Sequence, residues 1–171
     1  PEAGAVWYRM AARKGFAPAM SSLAGLYASG FGVRQDYGEA FKWYRKAADQ
    51  GFAAGESGLG ELYRSGHGTA QNFSEAMKWF RKAAEQESAE GEFGIACLYL
   101  LGQGVRRDEK KAFSWLMKSA GHGSSDAADC LGDMYVSGRG VTKNLEEAVK
   151  WYRKAAEDGI LPAQKSLARI Y

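Results

Sequence analysis

The sequence predicts an all-α fold, a right-handed superhelical solenoid built from antiparallel helix pairs. Two recurring aromatic residues predict it. Tryptophan recurs every 36 residues, at Trp7, Trp43, Trp79, Trp115 and Trp151. Tyrosine keeps the same interval, at Tyr27, Tyr63, Tyr99, Tyr135 and Tyr171. A repeat of this length is typical of arrays in which each unit buries its apolar side chains only against its neighbours.

The repeat divides the chain into four complete units between two half units. The complete units are residues 17–52, 53–88, 89–124 and 125–160, and the half units are residues 1–16 and 161–171. We expect one repeat domain, and we interpret the two half units as the cut ends of a longer array.

Each complete unit begins with a predicted helix of about 12 residues. An apolar stripe at i, i+3 and i+4, such as Leu23, Leu26 and Tyr27, indicates one buried face. A glycine follows the stripe in every unit, where a left-handed residue most easily ends a helix. These glycines are Gly30, Gly66, Gly102 and Gly138.

The second predicted helix of each unit follows a residue suited to the N-cap. These residues are Asp36, Asn72, Asp108 and Asn144. A glutamate three residues later, at Glu39, Glu75 and Glu147, predicts a capping box in three of the four units. Farther along the helix, Trp43 and Tyr44 fall on one broad predicted face together with Ala47 and Ala48, where small alanines let helices approach closely.

Composition indicates a folded chain. Of 171 residues, 46% are hydrophobic and 25% are charged, which is ordinary for a globular protein and excludes a disordered one. No apolar run is long enough to cross a membrane and no segment resembles a signal peptide, so we predict no membrane insertion. Two cysteines are too few for a disulfide framework. The compartment stays open between the cytoplasm and a periplasmic or exported location.

These units resemble the Sel-one-like repeat family, which is related to tetratricopeptide repeats. The family pattern is L-G-x-x-Y-x-x-G-x-G-V followed by D-x-x-x-A-x-x-W-Y-x-K-A-A-x-x-G. It is met almost throughout from Leu59 to Gly68, from Gly138 to Val141 and from Asn144 to Gly159. The sequence departs from the pattern at Thr69, Glu87, Met117 and Ser119. The resemblance implies a bacterial scaffold or adaptor that binds a protein or peptide.

Residues for catalysis or metal binding are scarce. His67 and His122 lie in predicted loops, and we predict no catalytic partner for either. A metal set of His122, Asp126 and Cys130 would be short of ligands. Some relatives were described as penicillin-binding or β-lactamase proteins, so a penicillin-interacting or β-lactamase-like hydrolase is the alternative function. The Ser-x-x-Lys motif of such enzymes is absent from the sequence. We therefore predict no enzyme, no cofactor and no metal.

Basic residues on the second helices raise the question of nucleic-acid binding. They are Lys42, Arg45, Lys46, Lys78, Arg81, Lys82, Lys150, Arg153 and Lys154. The formal net charge is only +3, glutamates precede these cations on each helix, and the C-terminal half of a helix favours cations in any case. We predict a solvated face and no nucleic-acid partner.

The variable face of the first helix is the candidate binding surface. It runs through positions 18, 21, 25 and 28 and their repeat equivalents, and should line the concave side of the solenoid. Its candidate binding residues are Glu61 and Arg64 in the second unit, Phe93, Cys97, Leu100 and Leu101 in the third, and Asp126, Asp129 and Asp133 in the fourth. An apolar patch beside an acidic one suits a protein segment with a basic neighbour.

Three alternatives remain open at the level of sequence. Phe93 and Leu100 can instead pack between neighbouring first helices. Cys97 and Cys130 are expected to be thiols, with a disulfide as the alternative. The exposed half units can also stack end to end and give oligomers.

Overall fold

The computed structural model describes residues 2–170, including every side chain but those of Glu2, Ala3 and Arg169. Tyr171, counted above as the fifth repeat tyrosine, lies outside the described residues. Helices joined by short loops make up this part of the chain. They are α1 (Glu2–Arg13), α2 (Ala17–Ser29), α3 (Tyr37–Asp49), α4 (Ala53–Ser65), α5 (Phe73–Glu85), α6 (Ala89–Leu101), α7 (Glu109–Gly121), α8 (Ser125–Ser137), α9 (Leu145–Glu157) and α10 (Leu161–Ile170). Residues 2–170 contain no strand, so the all-α prediction is confirmed, while the handedness of the superhelix stays a prediction.

Glycine ends the first helix of each complete unit, as predicted. Gly30, Gly66 and Gly138 cap α2, α4 and α8 in the left-handed region, with φ between 74° and 75°, and Gly102 follows α6 with φ 67°. The amide of Gly30 donates to the carbonyl of Leu26 at 2.8 Å. Because glycine has no Cβ, the chain turns here at little steric cost.

The capping box is only half right. Asp36 accepts a hydrogen bond from the amide of Glu39 at 2.9 Å, as a capping box requires. The amide of Asp36, however, donates to the carbonyl of Tyr27 at 2.9 Å, and the Glu39 carboxylate pairs with Lys42 at 2.7 Å instead of reaching back. The same bond from the N-cap amide to the repeat tyrosine carbonyl recurs at Asn72, Asp108 and Asn144. We call these four bonds the tyrosine clasps.

One inter-helix position breaks the glycine pattern. Gly51, Gly123 and Gly159 follow second helices with positive φ, but the equivalent residue between α5 and α6 is Glu87, with φ 59°. A side chain in the left-handed region crowds its own backbone, which costs about 1 kcal/mol.

We expect Glu87→Gly to raise the free energy of unfolding by about 1 kcal/mol, because glycine removes this strain. Urea denaturation of both proteins measures the difference. Glu85→Gly, which removes the same charge from the last residue of α5, is the control and should lower stability. A Glu87→Gly protein that is less stable than the parent contradicts the interpretation.

The described contacts divide the chain into two compact units, Pro1–Gly94 and Ile95–Tyr171, with α6 contributing residues to both. We call these two segments the first unit and the second unit, and we call the 36-residue elements repeats. In the first unit, α2 packs on α3 and α4 packs on α5. Trp43 contacts a cluster that contains Leu23 of α2, whereas Tyr44 contacts a cluster that contains Leu59 of α4. Helix α3 therefore has two buried faces, each meeting a different neighbour, and not the single broad face that the sequence predicts.

Phe80 lies between two glycines in the first unit. A Cβ at Gly60 would come within 2.7 Å of its ring, and one at Gly94 within 2.5 Å. The ring itself is 2% exposed. The two glycines therefore make room for the ring between α4 and α6.

In the second unit, α8 packs on α7, α9 and α10. Leu98, Leu116, Leu131 and Ala155 are fully buried there. Tyr152 of α9 occupies the repeat position of Phe80 and lies against Gly132, where a Cβ would come within 2.5 Å of the ring. Both units thus place an aromatic ring of a second helix against a glycine of the first.

Candidate functional site

The predicted face of the first helices lines a groove in the first unit. The groove has a volume of about 330 Å³. Gly25 and Ala28 of α2 and Glu61 of α4 lie along it, all at predicted face positions. Aromatic side chains also line it, namely Tyr37, Tyr44 and His67.

Tyr44 is the residue of this groove that sequence reasoning missed. Its ring lies against Gly58, where a Cβ would overlap it, and its hydroxyl lies 3.4 Å from the position of a Cβ on Gly25. Burial raises the pKa of this phenol. Within residues 2–170, the Tyr44 hydroxyl has no hydrogen-bond partner. A groove-lining hydroxyl without a partner has unused hydrogen-bonding capacity, which a ligand can satisfy.

The second unit shows what Tyr44 lacks. Tyr152, the repeat equivalent of Tyr44, donates its hydroxyl to the carboxylate of Asp133 at 2.6 Å. Asp133 stands at the repeat position of Gly25. The first unit therefore has an open space at the place where the second unit has a carboxylate.

Gly25 is not required by packing. A Cβ there would make only ordinary contact with Tyr44, and glycine inside a helix costs about 1 kcal/mol relative to alanine. The other units carry Glu61, Cys97 and Asp133 at this position. The glycine leaves the groove open at a cost in helix stability.

Glu61 and Arg64 lie on the predicted face of α4 and bind each other. The guanidinium Nε and Nη2 each donate to a Glu61 carboxylate oxygen at 2.8 Å. Such a two-point pair between Arg and a carboxylate largely neutralises both charges. Phe93, the other candidate residue of the first unit, is half-buried on α6.

His67 has an aromatic partner, which does not bear on the prediction that it lacks a catalytic one. Its imidazole stacks on the ring of Tyr37, with centroids 4.4 Å apart and planes 19° apart. The two rings form one wall of the groove. Because each comes from a different repeat, the contact was not visible as a spacing in the sequence.

The second unit contains the remaining candidate residues. Cys97 and Leu100 of α6 are half-buried, whereas Leu101 is 62% exposed. On α8, Asp126 and Asp133 are exposed and Asp129 is half-buried. Phe93 and Leu100 thus lie neither in the core nor fully in solvent.

The pKa of Asp129 on α8 is raised above its ordinary value. Burial raises the pKa of Asp129 most, and the charges of Asp133 and Asp126 raise it further. One oxygen of the Asp129 carboxylate is buried with no hydrogen-bond partner in the described chain. Among residues 2–170, no cation forms an ion pair with Asp126 or Asp129.

Both cysteines are thiols, as expected. Burial, followed by nearby negative groups, raises the pKa of Cys130 to about 12. The thiolate is the nucleophilic form of cysteine, so this thiol is chemically inert near neutral pH.

Six lysines of the second helices contact a glutamate or a tryptophan of their own helix. Lys42, Lys78 and Lys150 each form an ion pair with a glutamate three residues earlier. Lys46, Lys82 and Lys154 lie over the tryptophan of their own helix, between 4.5 and 5.4 Å from its ring. These contacts support the solvated-face interpretation.

A second cavity, of about 610 Å³, lies away from the predicted face, near the loop that follows α6. Arg107 and Lys111 line it, and they pair with Glu109 at 2.6 Å and Asp108 at 3.5 Å respectively. In the described part of the chain, no three His, Cys, Asp or Glu side chains converge as a metal site. None of the helices described for residues 2–170 has the length and apolarity needed to cross a membrane.

Comparison with known proteins extends the sequence pattern. A family model for the Sel1 repeat matches residues 1–16, 17–52, 53–88, 89–124 and 126–160. No curated protein matches the chain.

Solved bacterial structures are similar in both sequence and fold. A Sel1 repeat protein from Oxalobacter formigenes is 38% identical with a TM-score of 0.80, over 91% of this chain and 63% of its own. The antigen c5321 of uropathogenic Escherichia coli, which displays an SLR fold, is 40% identical with a TM-score of 0.80, over 96% of this chain and 35% of its own. Cysteine rich protein B of Helicobacter pylori is 29% identical with a TM-score of 0.62, over 81% of this chain and 99% of its own. The chain spans less than two thirds of the first two proteins.

Proposed function

Because this chain belongs to the Sel1 repeat family, we propose that it is a non-enzymatic scaffold or adaptor that holds a segment of a partner protein on the face of its first helices. Sel1 repeats are generally protein interaction modules, and the partner here is accordingly a protein or peptide. The binding face is the predicted concave face.

The groove at Gly25 and Tyr44 carries this proposal. It offers an aromatic wall, a floor of small residues and the hydroxyl of the half-buried Tyr44, which has no acceptor within residues 2–170. An extended peptide has a carbonyl oxygen in every residue, which is the group that the Tyr44 hydroxyl needs. A side chain of the partner can enter the space above Gly25.

We expect Gly25→Asp to abolish binding and leave the fold at least as stable. The new carboxylate should accept from Tyr44, as Asp133 does from Tyr152, and so fill the groove while replacing a helix glycine. Peptides selected from a random library on the parent protein supply the ligand, and fluorescence anisotropy measures their affinity.

Two variants sharpen this test. Tyr44→Phe removes only the hydroxyl and should weaken binding roughly fivefold with little change in melting temperature. Ser22→Asp adds the same charge to an exposed position of α2 and should bind like the parent. Selected peptides that bind Gly25→Asp as tightly as the parent would show that they do not use the groove.

The proposal extends to the predicted residues outside the groove. In the second unit, Leu100 and Leu101 offer an apolar anchor site, and the carboxylates of Asp126 and Asp129 lack an internal cation. A segment with a basic residue beside an apolar one suits these groups, and Cys97 and Asp133 lie on the same faces. In the first unit, Phe93 is the apolar residue of the proposed surface, while the paired Glu61 and Arg64 are its polar residues, and Glu61 also lines the groove.

Two side chains that could serve in catalysis are in states unsuited to it, which supports a non-enzymatic role. His67 is engaged in a ring stack, and the Cys130 thiol is protonated. Incubation with a labelled β-lactam tests the alternative, since covalent labelling of the protein would favour the hydrolase.

A further inference from the structure

The fourth repeat shows what completes a tyrosine at the position of Tyr44. Tyr152 donates its hydroxyl to the carboxylate of Asp133 at 2.6 Å, and the side chain of Ser166 hydrogen-bonds the same hydroxyl. Two oxygen atoms about this far apart are typical of a charge-assisted bond from a hydroxyl to an ionised carboxylate, which is roughly twice as strong as a neutral hydrogen bond. The fourth repeat therefore binds a carboxylate of its own chain at this place.

The first repeat keeps the tyrosine and lacks both of these partners. The repeat equivalent of Asp133 is Gly25, and that of Ser166 is Gly58. A Cβ on Gly25 would lie 3.4 Å from the hydroxyl oxygen of Tyr44, and a Cβ on Gly58 would overlap the tyrosine ring. The hydroxyl consequently meets the groove at the point where an aspartate side chain would otherwise begin.

The two middle repeats have no hydroxyl at this position, because Phe80 and Leu116 stand there. In the second repeat, the residue equivalent to Gly25 is Glu61, and its carboxylate binds Arg64 through two bonds of 2.8 Å. A carboxylate at this position thus pairs with the tyrosine hydroxyl in the repeat that has one, and with an arginine in the repeat that does not. In the first repeat, the tyrosine is present and the carboxylate is missing.

Charge near the groove is more favourable to a carboxylate in the first repeat than in the fourth. Asp133 accepts from its tyrosine although Asp126 and Asp129 stand on the same helix, and the charges of Asp133 and Asp126 raise the pKa of Asp129. The repeat equivalents of Asp126 and Asp129 are Pro18 and Ser21, which carry no charge. A carboxylate at the same place in the first repeat therefore meets less like charge.

We propose that the groove of the first unit binds an aspartate or glutamate side chain of the partner segment, which accepts from the Tyr44 hydroxyl as Asp133 accepts from Tyr152. This inference rests on the proposed function and names the group that enters the space above Gly25. A main-chain carbonyl also accepts a hydrogen bond from a hydroxyl, but a carboxylate is the stronger acceptor. The acidic side chain of the partner replaces the one that the first repeat lacks.

Peptide selection tests the proposal. Random peptides displayed through their C-termini are selected on the parent protein and depleted on Gly25→Asp, which retains the peptides that use the groove. The retained peptides should share an acidic residue. In synthetic peptides with amidated C-termini, exchange of this residue for its amide should weaken binding to the parent about fivefold, because a charged acceptor becomes a neutral one.

The protein variant Tyr44→Phe shows whether the hydroxyl reads this charge. On Tyr44→Phe, exchange of the acid for its amide should change binding by less than about twofold, because the donor that distinguishes the two acceptors is gone. Fluorescence anisotropy measures all four affinities. Tyr63→Phe removes a hydroxyl from another half-buried tyrosine of the first unit, outside the residues that line the groove, and as the matched control should keep the fivefold difference of the parent.

The outcomes separate this inference from the proposed function. If no peptide is selected, or if every selected peptide binds Gly25→Asp as tightly as the parent, the groove is not the binding site and both proposals fail. If the retained peptides lack an acidic residue, or bind the parent equally well as acid and amide, only the inference about the carboxylate fails. The same fivefold loss on Tyr44→Phe as on the parent also overturns it, because a group other than the Tyr44 hydroxyl would then recognise the acid.

Discussion

Gly68→Ala should lower the free energy of unfolding by about 3 to 4 kcal/mol, a large effect for a single methyl group. Gly68 has φ 71°, and a Cβ there would overlap the carbonyl oxygen of Tyr37. That oxygen belongs to the first turn of α3, so it cannot swing away as a side chain would. The loss combines left-handed strain with displacement of a helix.

Gly51→Ala separates these two causes. Gly51 has nearly the same φ, 73°, but a Cβ there would meet nothing within 4 Å. This variant should cost only about 1 kcal/mol, the strain alone. Equal losses in urea denaturation of the two variants would mean that the approach of Tyr37 to Gly68 has no energetic weight.

The second large effect is at Phe80, whose removal should reverse the sign of the effect of Gly94→Ala on the free energy of unfolding. Phe80→Ala should cost about 4 kcal/mol, because the ring is buried between two glycines that cannot fill its place. Gly94→Ala alone should cost about 2 kcal/mol, since its Cβ would lie 2.5 Å from the ring and Gly60 blocks retreat on the other side. In the Phe80→Ala background, the same Gly94→Ala change should instead stabilise, by about 1 kcal/mol, because it refills the cavity and removes a helix glycine.

A double-mutant cycle by thermal or urea denaturation measures this coupling. Gly4→Ala is the matched control, since Gly4 is also a helix glycine but a Cβ there meets nothing within 4 Å. It should stabilise in both backgrounds. If Gly94→Ala destabilised the Phe80→Ala protein as much as the parent, contact with the ring would not explain the glycine.

Local signals in the sequence were sufficient to predict the helices and their ends. The glycines after α2, α4 and α8 and the N-cap residues before α3, α5, α7 and α9 act within one turn of chain, so composition and spacing reveal them. Glu87 departs from the repeat pattern, and its positive φ shows that the loop geometry persists without the glycine. The capping box was half wrong because the N-cap amide has a second candidate acceptor, the carbonyl of Tyr27, nine residues earlier.

The groove was harder to predict because it depends on contacts between helices. Tyr44 resembles a core residue, because its repeat equivalents Phe80 and Tyr152 are buried. Its hydroxyl becomes significant only when Gly25, 19 residues earlier, is compared with Asp133 at the same distance before Tyr152. That comparison was available in the sequence, but only packing of α3 against α2 shows why it matters. The Glu61–Arg64 pair, by contrast, has helical i, i+3 spacing and could have been anticipated.

The tyrosine clasps also affect how the protein opens. Each one ties the end of a first helix to the start of the second across the glycine loop, for example Tyr27 to Asp36. Neither helix of such a pair can fray at the loop without also losing this bond. We therefore expect the helix pair, and not the single helix, to be the smallest segment that exchanges its amide hydrogens cooperatively, with the N-cap amides protected although they lie at a solvent-exposed turn.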